Sequence, residues 1–291
     1  MPITSKIEAK DFYKNLPSIE HETGDIWLNL PSWGIAKLNK CSGIVLTPAC
    51  DLSQKKTETA FILPIIPLRD YLYSKAFYFD LWKEINSKIK NIGEEKSHTS
   101  RYSNPDTTIF YPLLENLEKD KKKKALYEQL KEYCNYISYV NLPMAHRNDK
   151  PSPNFEIILG KTKYEDILKK IFTNSYKSDV HFLPAFNNAG EYSAVPVHSV
   201  ALFRHSYTVP IEVLDAAQSS SSVWWGDDRI TLAASSPIAH FFDEWPIKAS
   251  GLKDDFLSDL ISRYLSMFMR LGSRDFTAHT IENFVTEIKG V

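Results

Sequence analysis

A chain of 291 residues with 43% hydrophobic and 13% aromatic content has ample material for a packed core, which excludes wholesale disorder. Its 36 acidic and 35 basic side chains leave a formal net charge of -1, so any attraction to nucleic acid must come from a local patch. The 10 glycines are scattered, which excludes the glycine-rich phosphate loops of Rossmann and P-loop proteins.

Residues 1–23 read as a short helix or arm. Residues 25–30 then alternate, with Ile26, Leu28 and Leu30 on one face and Trp27 and Asn29 on the other, predicting a half-buried strand. Further strands are expected over 34–38, 43–47 and 60–66; Pro48 closes the second, and Pro64 cannot donate to a ladder, which puts the third at an edge or bulge. Several short strands within about fifty residues suggest a small barrel or a highly bent sheet.

From Tyr71 the period changes. Tyr78, Trp82, Ile85 and Ile89 fall at helical spacing with Gly93 as the expected stop, 94–112 reads as a loop, and a second helix covers 113–135. Strands are expected over 136–142 and 155–159, followed by an amphipathic helix carrying Tyr164, Ile167, Leu168, Ile171 and Phe172. Residues 180–183, 195–204 and 209–214 look extended, and 216–222 reads as a linker. A long C-terminal amphipathic helix carries Phe256, Leu257, Leu260, Ile261, Tyr264, Met267, Phe268 and Leu271, with Gly272 beyond its end and a short helix around Ile281–Phe284–Val285–Ile288 after it. Strands on both sides of helices without a βαβ rhythm place the chain in the α+β class. The expected division is a β-rich, barrel-like region over 1–112 and an α+β region over 113–291, or one integrated domain of both.

The candidate chemistry is sparse. Cys41, Cys50 and Cys134 contain no CxxC pair, the usage of a reducing compartment; with no apolar signal core and no run of membrane-span length, a cytoplasmic protein without membrane contact is expected. The eight histidines show no HxH or HExxH, and the gap from Cys41 to Cys50 is too long for a standard zinc hairpin, so no metal and no cofactor are expected. Cys50-Asp51 closes a strand; a catalytic reading makes Cys50 a nucleophile with His181 brought in from elsewhere. A reactive thiol needs a cation or helix N-terminus beside it, and a carboxylate neighbour opposes that. The favoured reading is that Cys50 packs as a small hydrophobe and Asp51 caps the turn.

Lys121, Lys122, Lys123 and Lys124, with Lys119 just before, are the concentrated basic patch, able to track phosphates; Glu115, Glu118 and Glu128 dilute the patch, which favours a solvated helix segment. Trp224-Trp225 beside a polar loop reads either as a pocket or partner surface or as a core anchor. Arg274 and His279 fit the loose R-x4-H pattern that resembles the HEPN ribonuclease motif, but at a helix junction where a surface role is preferred. Glu287-Ile288-Lys289 is a bare ExK without an upstream acid.

Two resemblances bear on fold and function. Thr47-Pro48-Ala49-Cys50-Asp51-Leu52, the His181-Phe182-Leu183-Pro184 element, an apolar strand over 232–237 closing in Ser-Pro, and a long helix ending Arg270-Leu271-Gly272 together resemble a group of bacterial proteins without assigned chemistry. More distantly, Gly24-Asp25-Ile26-Trp27 and Ser42-Gly43-Ile44-Val45-Leu46-Thr47 resemble the MazF/PemK family, SH3-like barrels of toxin ribonucleases, although the arginine associated with RNA cleavage is missing. The resemblances imply an SH3-like barrel elaborated with helices, contacting RNA, DNA or a protein partner in a bacterial toxin–antitoxin or anti-phage defence setting. Alternatives are a cysteine-dependent hydrolase or divergent nuclease centred on Cys50, and a subunit of a larger complex; neither oligomeric state nor enzymatic character follows from the sequence.

Overall fold

The computed structural model describes residues 7–92, 107–147, 149–186 and 195–269. Its strands are β1 (Asp25–Pro31), β2 (Lys40–Val45), β3 (Thr59–Pro67), β4 (Val180–Leu183), β5 (Ser199–Leu202), β6 (Tyr207–Pro210) and β7 (Ile247–Gly251). Its helices are α1 (Ala49–Ser53), α2 (Leu68–Leu72), α3 (Lys75–Asn91), α4 (Tyr111–Lys119), α5 (Lys124–Asn141), α6 (Phe155–Leu159), α7 (Lys161–Phe172), α8 (Ile211–Ser219), α9 (Trp225–Leu232) and α10 (Asp254–Phe268). The α+β class holds.

All seven strands join one antiparallel sheet in the order β4-β5-β3-β2-β1-β7, with β6 also on β3. The sheet is open, with β4 and β7 as its ends, so the expected closed barrel is not what these strands build. The first three strands do form a meander, but β3 then recruits β5 and β6 from the second half of the chain, and β1 recruits β7. The expected boundary at 112/113 therefore runs through a shared sheet. Pro64 is not on an edge strand. It falls between the part of β3 paired with β6 (59–62) and the part paired with β5 (65–67), where that ladder is already interrupted and a residue without an N–H costs least.

Directly opposed residues share a face of an antiparallel sheet. One face presents Trp27, Val45, Ile62, Ile66 and Leu202 to the larger core, completed by α2, α3, α5, α6 and α8 through Leu72, Phe77, Tyr133, Ile158 and Val213. The other presents Ile26, Ile44, Leu63, Ile65 and Ala201, and α10 covers them with Leu257 and Leu260. Burying one such side chain contributes about 1.5–3 kcal/mol, so the two cores account for the docking of these helices. Among the described residues no helix is long and apolar enough to cross a membrane.

Several expected strands are helical. Tyr133, Tyr136, Ile137 and Val140 are all buried at i, i+3, i+4 and i+7, so the helical period of α5 runs on through 136–141 despite its β-branched residues, and only Leu142 is extended. Residues 155–159 form α6 because Asn154 caps it, accepting from the Glu156 and Ile157 amides, while Phe155 and Ile158 share a buried face. Residues 35–37 make a 3-10 turn, α8 takes 211–219 out of both the expected strand and the expected linker, and α9 ends at Leu232 where the apolar strand was expected. Gly93, the Arg274/His279 and Glu287/Lys289 motifs, Gly272 and the last helix lie outside the described residues.

Candidate functional site

Among the described residues, no hydrogen bond or ion pair joins Cys50, His181, the lysine cluster and the tryptophan pair to one another. Cys50 is the second residue of α1, exposed, and its sulfur donates to Asp51 Oδ1 at 3.6 Å; no histidine nitrogen of the described residues shares that contact. The corner is thus a short helix rather than a capped turn, and its thiol is outside the core. His181 lies on β4 on the face covered by α10, its ring near-parallel to Phe203 at 6.1 Å and its Nδ1 buried without a partner. Burial holds its imidazole down to about 4, with the Asp259 carboxylate opposing and Arg263 assisting. Burial likewise pushes the Cys41 and Cys134 thiols up to about 12.

Lys119 ends α4, Lys121–Lys123 form a 3-10 turn and Lys124 begins α5. Asp120 sits among them, accepting from the Lys122 amide at 2.9 Å and lying 3.8 Å from the Lys123 ammonium. The tryptophan pair divides: Trp225 is 2% exposed with its Nε1 donating to the Phe242 carbonyl at 2.8 Å, whereas Trp224 is 64% exposed. One is the core anchor and the other a surface ring.

Two cavities merit comparison. The larger, about 530 Å³, lies between α1 and α8 and is lined by Glu20, Glu58, Glu212 and Asp215 among others, with His21 Nε2 2.8 Å from Asp215 Oδ1. It is an acidic, open recess. The smaller, about 280 Å³, is built differently: Lys37, Lys75, Arg147 and His205 line it and no carboxylate does.

Five separate segments bring that second set together. The β1–β2 loop supplies Gly34 to Lys37, the start of α3 supplies Ser74, Lys75 and Ala76, and the end of α5 supplies Val140. Ile66 of β3 and Leu202 of β5 form the apolar floor; His205 enters from the 3-10 turn after β5. Arg147 follows the 3-10 turn Met144–His146, which folds the chain back onto α5 after Pro143. The first turn of a 17-residue helix adds its positive end to the four side chains.

Arg147 is the unusual member. It is 4% exposed, its Nη2 donates to the Val140 carbonyl at 2.9 Å, and its guanidinium stands over the Tyr139 ring at 5.4 Å. Lys37 Nζ similarly donates to the Asn141 and Leu142 carbonyls at 2.8 and 3.3 Å. Both cations therefore close the C-terminal end of α5, where orphan carbonyls and the helix dipole favour positive charge. Capping, however, occupies one of the five guanidinium N–H donors, and Nε is buried without a partner. Among the described residues no carboxylate oxygen lies within 4.0 Å of the guanidinium. Asp70 of α2 feels its field from further away: burial raises the Asp70 carboxyl, and Arg147 and Arg69 oppose that rise.

The electrostatics are those of crowded cations. Burial lowers the Lys37 ammonium below its ordinary value, and Arg147 and Lys75 lower it further. Burial also lowers His205, with Asp179 opposing. An arginine buried without an ion-pair partner is costly, and charges held that way are normally paired or bind a ligand. The loop opposite is strained as well: Trp33, Ala36 and Lys37 have φ of 52°, 52° and 61°, and Gly34 has 77°. Non-glycine residues in that region cost free energy and concentrate at ligand clamps.

Nothing in the sequence pointed to this set. Positions 37, 75, 147 and 205 are far apart in the chain, and Arg147 sits in a polar stretch, His146-Arg147-Asn148-Asp149-Lys150, that reads as surface. Comparison with protein-family models, with curated proteins and with solved structures returns no match to this chain.

Proposed function

We propose that the protein is a binding protein that holds the phosphoryl group of a ligand in the Arg147 pocket. The carrying observation is Arg147 itself: a buried guanidinium with spare donors, no carboxylate beside it, and three further basic side chains around the same cavity. Guanidinium recognises the oxyanion of a phosphate through parallel N–H donors, and ammonium groups add point charge. A cavity of about 280 Å³ lies just under the usual range for drug-sized ligands and holds a phosphoryl group with part of the molecule that carries it.

This reading replaces the expected nucleic-acid contact at the lysine cluster with a phosphorylated ligand held elsewhere on the molecule. Val140 is 16 residues along α5 from Lys124, so the pocket and the lysine cluster stand about 24 Å apart along that helix. A MazF/PemK-like origin for residues 23–68 and a bacterial stress or defence setting are carried by the sequence resemblance alone. A Cys50-centred hydrolase is less favoured because the sulfur has a carboxylate rather than an imidazole as its polar partner. An assembly subunit is less favoured because α10 uses Leu257 and Leu260 on its own sheet.

Isothermal titration with inorganic phosphate tests the proposal. The expected result is saturable one-to-one binding, weakened at least tenfold by Arg147→Met and unchanged by charge reversal of Lys121, Lys122, Lys123 and Lys124. Absence of saturable binding, or equal affinity in Arg147→Met, would refute it.

A further inference from the structure

Exposed aromatic rings stand next in the chain to segments that line the basic pocket. Trp33 directly precedes Gly34, the first residue of the loop that walls the cavity, and is 45% exposed. Its ring lies 5.2 Å from that of Phe241, itself 59% exposed, and meets the Tyr207 ring edge-on at 6.1 Å. Tyr207 in turn follows the pocket residue His205 by two positions. Trp33 adjoins Gly34 directly and Tyr207 is separated from His205 only by Ser206, so short stretches of chain tie the aromatic cluster to two of the segments that line the cavity.

Exposure of two large rings against each other is unfavourable without an occupant, because the apolar faces stay in water. The backbone holds Trp33 there at a φ of 52°, a conformation that tryptophan rarely adopts. One strained loop thus carries both the pocket residue Lys37 and the exposed Trp33. A phosphoryl group fills only part of a cavity of about 280 Å³, so the rest of a phosphorylated ligand extends from it into the remaining space and beyond.

We infer that the ligand is a nucleoside 5′-phosphate, its phosphoryl group among Arg147, Lys37 and Lys75 and its base stacked on Trp33 and Phe241. This deepens the phosphate-binding reading and rests on it. Aromatic stacking discriminates little among bases, since each has a π-face, and one stacked base changes affinity by about 5- to 150-fold. Electrostatic attraction sets the phosphate part, which weakens with salt; stacking persists as salt rises.

The experiment compares inorganic phosphate, ribose 5-phosphate and adenosine 5′-monophosphate by titration calorimetry on the full chain, as wild type, Trp33→Ala, Phe241→Ala and Arg147→Met. In the wild type the nucleotide is expected to bind at least fivefold more tightly than ribose 5-phosphate. Trp33→Ala and Phe241→Ala are expected to reduce that gap while leaving inorganic phosphate binding unchanged, which also shows that they fold. Equal affinity for the two sugar phosphates in the wild type, or an undiminished gap in both aromatic variants, overturns the inference and leaves the phosphate pocket standing. Loss of all three ligands in the wild type overturns the phosphate reading and this inference with it.

Discussion

Replacing Arg147 by methionine separates a binding residue from a capping residue, because the two roles predict opposite balances. Methionine retains much of the length and flexibility and removes the charge. The substitution forfeits one charge-assisted hydrogen bond to the Val140 carbonyl, worth about 1.5–3 kcal/mol, and the cation–π contact with Tyr139, worth about 0.5–2 kcal/mol. Against that, it relieves the desolvation of a buried cation, which costs several kcal/mol. The penalty of about 3–5 kcal/mol for breaking a buried ion pair does not apply, since no carboxylate pairs with this guanidinium. Without phosphate the variant should therefore lie within about 1 kcal/mol of wild type, or above it. With phosphate at a hundredfold excess over its dissociation constant, wild type should gain about 2.7 kcal/mol and the variant almost nothing. Urea unfolding with and without phosphate, at constant ionic strength set with chloride, reads both numbers. A loss of about 4 kcal/mol or more without phosphate, together with equal phosphate stabilisation of both proteins, would refute the reasoning and make Arg147 a helix cap only.

Three other outcomes follow from the structure. His181 is held at about 4, below its ordinary 6.5, so the unfolded chain takes up a proton first as pH falls. Its contribution is complete above pH 6.5 and is lost toward pH 4, about 3 kcal/mol in all, and His181→Leu should remove that part of the pH dependence of the urea midpoint. Gly43→Ala should destabilise by about 1–3 kcal/mol, read as a lower urea midpoint at unchanged slope. Its added Cβ would stand 2.5 Å from Ile62 Cγ2 and 2.8 Å from Leu30 Cδ1. Thiol labelling of the folded protein should modify the exposed Cys50 while Cys41 and Cys134, both pushed up to about 12, resist; labelling of Cys50 should leave phosphate affinity intact, and a loss of affinity would restore that corner to consideration.

The legible parts of the sequence were those with a clean local period. The apolar stripes of α3, α7 and α10 emerged at the expected places because each faces a core on one side only. β1 also emerged, but a bulge between Trp27 and Leu30 moves Leu30 into the core of Trp27, so the strand is buried on both faces instead of the expected one. Residues 136–142 and 155–159 misled because short apolar runs rich in Ile, Val and Tyr fit either period; burial of Tyr136 with Val140, and of Phe155 with Ile158, decided for helix. That the sheet stays open was not legible, because the other side of β3 pairs not with β1 but with β5 and β6 more than 130 residues later. The basic pocket was hidden for the same reason. Its three cations and His205 are ordinary surface residues by composition, and only the fold-back after Pro143 buries Arg147 against Tyr139 and Val140.

The central claim is that the space beside Arg147 takes an oxyanion. Crystals soaked in tungstate, an anomalously scattering analogue of phosphate, test it most directly. A strong anomalous peak between the Arg147 guanidinium, the Lys37 ammonium and the first turn of α3 is the predicted result; tungstate bound at Lys119 and Lys121–Lys124, or nowhere on the molecule, would contradict it.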